Sequence, residues 1–158
     1  MTTIAMPSII SGCAGETADF VGQQIEDCLS MLQDSNALGF TAKGTFQQLY
    51  EVFEECSSDN WDGEQAKAIS REAIRYTERF LNSLPLGMEA PDVCAEPDGA
   101  ITLEWYRSTN KVISISIDDS DWLYFAAIIG DRKRHGADFA LLGVSDDLLE
   151  LISQVTRR

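Results

Sequence analysis

The sequence predicts an α+β domain in which helices pack on one face of a four-stranded antiparallel meander sheet. Two observations predict it: apolar residues recur at helical spacing up to Pro85, and after Gly99 the period changes to two. A third sets the scale. A chain of 158 residues with 44% hydrophobic and 24% charged content has ordinary globular composition and the length of one domain, enough to bury roughly two-thirds of its unfolded surface.

The first dozen residues have no period and read as a loose arm. From Glu16 to Gln33, Val21, Ile25, Cys28 and Leu32 recur on one helical face, with Asp19, Glu26 and Asp27 on others. Thr45 followed by Gln48 has the form of a capping box, which predicts a second helix starting there with Phe46, Leu49, Tyr50 and Phe53 as its apolar stripe. Ser57 to Gly63 is a turn-rich connection. Ser70 is the best-marked helix start: Ile69 and Ile74 stand at the two positions of a hydrophobic staple, and Ala73, Thr77, Phe80 and Leu84 carry the inward stripe until Pro85. Leu86 to Gly99, with Pro91 and Pro97, reads as a crossing loop.

Ile101, Leu103 and Trp105 alternate with Thr102, Glu104 and Tyr106, and Ile113, Ile115 and Ile117 alternate with Ser114 and Ser116. These are two strands with one wet face, and they place Trp105 in the core. Trp122 to Ile129 is apolar on both faces and fits a central strand, while Gly130-Asp131 signals a two-residue hairpin into Arg132 to Leu141. Ser145 begins a last helix with Asp146 and Asp147 in its first turn, where the helix dipole favours acids, and with Val144 and Leu149 as a second staple.

The formal net charge is -14, and it is uneven. Residues 1–66 carry 11 acids against one lysine, whereas residues 67–158 carry 15 acids against 11 basic residues. Such a field repels nucleic-acid backbones and anionic lipid and attracts basic protein surfaces, so direct nucleic-acid binding is disfavoured. No apolar run is long enough for a membrane span. Ile10 to Cys13 has the form of a lipoprotein cleavage box, but the basic start and apolar run of a secretory signal are missing. Cys13, Cys28, Cys56 and Cys94 form no close pair, as expected of idle thiols in a reducing cytoplasm.

Catalytic and cofactor motifs do not stand up. Gly12 to Thr17 has neither the spacing nor the lysine of a phosphate-binding loop. His135, the only histidine, follows a hairpin turn with no nucleophile motif to serve, and it reads as a structural or surface residue. Asp118, Asp119 and Asp121 contain enough carboxylate for a hard cation, yet a hairpin loop needs acids for its own turn chemistry. Trp61 either plugs the core or marks a contact surface. Lys67, Arg71, Arg75 and Arg79 fall at four-residue steps, forming either a solvated face or a stripe that receives the acidic helices or an anionic partner.

From Asn60 onward the chain resembles a family of small uncharacterised bacterial proteins. The likeness rests on Asn60-Trp61-Asp62-Gly63, Ile69-Ser70, Pro97-Asp98-Gly99, Leu103-Glu104-Trp105 and His135-Gly136. The likeness covers 60–158, the family-like α+β core, and says nothing about 1–59; the length of the chain gives a single domain over 1–158, and charge and helical spacing make 1–59 an acidic helical extension. The likeness implies no activity.

The functional expectation is a non-catalytic, cofactor-free cytoplasmic binding protein of the antitoxin, immunity or anti-defence kind, engaging a protein partner with a basic surface. Its candidate contact residues are Asp19, Glu26, Asp27, Glu51, Glu54, Glu55, Trp61 and Asp62. Two alternatives stand beside it: a small hydrolase or nucleotide-processing enzyme using His135 with an acid, and an adaptor or homo-oligomeric scaffold.

Overall fold

Five strands, rather than the four expected, form the sheet of the computed structural model, which describes residues 42–157. The additional strand, β1 (Asp92–Ala95), lies in the segment read as a crossing loop. A strand of four residues is too short for a period to show. It is held in place by pairing, with Val93 opposite Leu103 and Ala95 opposite Ile101. The remaining strands are β2 (Ile101–Ser108), β3 (Lys111–Ile117), β4 (Trp122–Ile129) and β5 (Arg132–Phe139). All neighbours are antiparallel and spatial order follows chain order, which is a meander.

Period-two alternation divides the sheet into two faces. The inner face carries Val93, Ile101, Leu103, Trp105, Ile113, Ile115, Ile117, Leu123 and Ala127, all buried. Helices cover it. Helix α1 (Ala42–Glu55) contributes Leu49, α2 (Arg71–Ser83) contributes Ala73, Ile74, Phe80 and Leu81, and α3 (Asp146–Thr156) contributes Leu148, Ile152 and Val155 to the same core. A 3-10 turn (Ala140–Leu142) links β5 to α3. The described residues lie within one compact unit.

Helix starts follow the sequence unevenly. Ser70 caps α2 as expected, its hydroxyl accepting from the Ala73 N–H at 3.0 Å, and both staple residues, Ile69 and Ile74, are buried. Ser145 stands at the N-cap of α3, but its side chain makes no capping bond. Thr45 is not a cap at all. It is buried inside α1, which already runs from Ala42, and the Gln48 amide donates instead to the Val93 carbonyl at 3.2 Å, tying α1 to the first edge strand. Tyr50, assigned to the apolar stripe, is exposed because its hydroxyl reaches out to donate to Glu78 of α2. That hydrogen bond to an ionised acceptor pushes the phenol above its usual range. Because Leu49 and Cys56 belong to the same core as the sheet, a fragment beginning at residue 60 lacks part of that core.

Trp105 is the largest side chain on the inner face of β2, with 3% of its surface exposed and its indole N–H donating to the Glu89 carbonyl at 2.7 Å. Trp105→Ala should lower unfolding free energy by about 3–5 kcal/mol in a denaturant titration. An unchanged midpoint would place the ring outside the core.

Candidate functional site

The chain offers no assembled catalytic centre among the described residues. His135 is exposed on the outer face of β5, and it makes no hydrogen bond to a described side chain. Asp118 accepts from Ser120, and Asp119 lies 3.5 Å from Lys67. Asp121 raises the Tyr76 phenol through a hydrogen bond, and one of its own carboxylate oxygens is buried without a described partner. No group of three metal-ligating side chains occurs among the described residues. A cleft of about 740 Å³ lies between Leu86 and α3. Two of its charged residues are tied up in structure: Arg107 pairs with Glu89 at 2.9 Å and donates to the Thr156 carbonyl, anchoring the end of α3. Burial pushes the Cys56 thiol up, away from the reactive thiolate.

The surfaces suited to binding are of two kinds. The first is acidic. Residues 44–66 contain Glu51, Glu54, Glu55, Asp59, Asp62 and Glu64 and no basic residue, and all six are exposed. Among the described residues the ion pairs are Lys67–Asp119 and Arg107–Glu89, so none of these six acids pairs with a described cation. Arg71, Arg75 and Arg79 form an exposed stripe on α2 without a described acidic partner. Asp19, Glu26 and Asp27, expected to join this surface, lie outside the described residues.

Trp61 and Asp62 hold the turn that follows α1. The Trp61 ring packs against the core, and its N–H donates to the Lys67 carbonyl at 3.2 Å, so the indole anchors its loop. Asp62 accepts from the Glu64 and Ala66 N–H groups at 2.7 and 3.1 Å, while Asn60 accepts from Gln65 and Asp59 from Ala68. Lys67 N–H then donates to the Pro97 carbonyl, and a Cβ on Gly99 (φ +91) would stand 3.0 Å from the Ala68 carbonyl oxygen. The Asn-Trp-Asp-Gly and Pro-Asp-Gly turns therefore clasp each other, and the acids above them sit on a rigid platform.

The second surface was not foreseen. Trp122 to Ile129, read as a central strand apolar on both faces, becomes β4, whose inner residue Leu123 is buried but whose outer residues are not. Trp122, Tyr124, Tyr106 and Phe139 are 39%, 50%, 57% and 43% exposed, so the outer face carries four aromatic rings that no described element covers. Trp122 and Phe139 are cross-strand partners with ring centroids 4.1 Å apart. The available signal was the Trp122/Tyr124 alternation together with Tyr106, which follows a polar series on its own strand.

Comparison with family models, with curated proteins and with solved structures finds no match to the chain. No described helix is long and apolar enough to cross a membrane.

The hydrogen bonds from Glu64 and Ala66 hold the Asp62 carboxyl below its usual range. A depressed folded pKa contributes stability that is present above the unfolded value and lost as pH falls through the folded one. The Glu64 and Ala66 amides should therefore lose hydrogen-exchange protection below the ordinary aspartate range, and Asp62→Ala should remove it at neutral pH. Protection unchanged in that variant would mean the carboxylate does not hold the turn.

Proposed function

We propose that this protein is a non-catalytic binding module that recognises a basic protein, acting as an antitoxin, immunity protein or other inhibitor of a basic enzyme. One observation carries the reading: four exposed aromatic rings on the outer sheet face, in a molecule of net charge -14. Exposed aromatic surface ringed by polar residues is the composition of a protein interface, where rigid aromatic side chains supply most of the binding energy. The surrounding charge selects the partner. The exposed acids on α1 and its turn raise the rate of encounter with a basic surface and repel nucleic acid and other acidic proteins. A nuclease is such a partner in chemical terms, because the surface with which it holds phosphates must be basic.

Capture from the native host tests the reading. The full chain should retain a basic protein, and the Trp122→Ala/Tyr124→Ala double variant should bind it at least about thirtyfold more weakly, the effect of losing roughly 2 kcal/mol at a hot spot. Glu51→Lys/Glu54→Lys/Glu55→Lys should mainly slow association and flatten its salt dependence. Equal capture by the folded aromatic variant would overturn the assignment. Loss of biological activity in a folded His135→Ala protein would favour an enzyme instead.

A further inference from the structure

The two edges of the sheet are finished differently. At β1 the strand is four residues long, preceded by Pro91, and its Val93 carbonyl is occupied by the Gln48 amide. At β5 the strand is eight residues long, contains no proline, and no described strand lies beyond it. An eight-residue edge with no described neighbour is a template for strand addition.

The hairpin sets which backbone groups are free. Gly130 (φ +62) and Asp131 form a two-residue connection, so the flanking pair, Ile129 and Arg132, exchanges hydrogen bonds. Alternation then turns the amides of Arg132, Arg134, Gly136 and Asp138 toward β4 and those of Lys133, His135, Ala137 and Phe139 outward. The Phe139 N–H is already taken by the Asp138 carboxylate at 2.8 Å. Lys133, His135 and Ala137 remain.

We propose that β5 pairs antiparallel with β5 of a second copy of this chain, with His135 on the two-fold axis. That register sets Lys133 opposite Ala137 and His135 opposite His135, so all three outward residues are used, with about six interchain hydrogen bonds at two per pair. The side chains are self-complementary in the same register. Arg132 falls opposite Asp138 of the second copy on the inner face, once on each side of the axis. Arg134 falls opposite Gly136, which has no side chain because the Phe125 ring occupies its place: a Cβ there would stand 2.8 Å from the ring. The guanidinium of Arg134 thus lies over the Phe125 ring of the second copy, a cation–π arrangement. Asp147 and Glu150 of α3 line the same cleft of about 450 Å³ as Arg132 and Arg134, so the basic residues of two adjoining strands are balanced by acids. An acidic strand from another protein could meet Arg132 and Lys133, but it would have no use for Asp138. The result is a ten-stranded sheet whose outer aromatic face stays open, independent of the binding function proposed above.

Sedimentation of the full chain tests this. The wild type should move from monomer to dimer as concentration rises, and Ala137→Pro should shift the midpoint by at least about tenfold, since it deletes an outward N–H without touching the bonds to β4. Charge reversal supplies the second arm. Asp138→Arg alone and Arg132→Glu alone each place like charges at both contacts and should dimerise poorly, whereas their mixture should form a heterodimer with both contacts restored. A wild type that stays monomeric at every concentration overturns the proposal, including the case in which slow exchange of the Lys133 and Ala137 amides shows that another segment of the chain covers the edge. A dimer unaffected by Ala137→Pro, or a mixture no tighter than its components, also overturns it.

Discussion

Six residues in the middle of the sheet, Ile101, Leu103, Trp105, Ile113, Ile115 and Ile117, form an apolar tile that must be kept from water. Burying a side chain of this size is worth roughly 1.5–3 kcal/mol, so the tile dominates the energetics of the fold. The meander on its own leaves the tile bare. Its cover comes from both sides of the strands in sequence: α1 and α2 precede them, and α3 follows. The long-range constraint is therefore that segments far apart in sequence must reach one face of one sheet. The turn clasp, with Lys67 bonded to Pro97, and the Arg107 bridge, with Glu89 and Thr156, are the ties that hold those segments in position.

The helices cover one face, and no described element covers the other. On β2 and β3 the outer residues Thr102, Glu104, Ser114 and Ser116 form the row expected of a solvated face, with Tyr106 near the end of β2, whereas Trp122, Tyr124 and Phe139 stand together on β4 and the end of β5. This gradient across the sheet has no role in the core, because the rings point away from it. In the binding function proposed above, the aromatic rings would make the contact and the exposed acids on α1 would act through their field, which extends about a Debye length and does not need contact.

The same geometry separates the two edges of the sheet. Proline, shortness and the Gln48 amide close β1, whereas no described strand lies beyond β5, so the dimer proposed above would add one neighbour and stop. Arg132 and Asp138 lie on the same face of β5 at a spacing that an antiparallel two-fold matches.

Reading the chain alone was enough for what depends on local chemistry. The change of period at Gly99, the staple around Ser70, the stop at Pro85 and the Gly130-Asp131 turn each act within a few residues, and the α2 helix, the β2–β3 pair, the β4–β5 hairpin and the burial of Trp105 follow from them. What depends on distant partners was not legible. β1 is a strand because Leu103 and Ile101 lie beside it, and a strand of four residues has too little periodicity to announce that. Thr45 and Gln48 spell a cap, but α1 begins earlier, and Gln48 finds a better acceptor on Val93, 45 residues away. The outer aromatic face shows the same limit at the level of function. An apolar residue on each side of a strand is compatible with cover on both faces, and whether a layer arrives on the second face is decided by where the helices go, a choice made by the tile on the first.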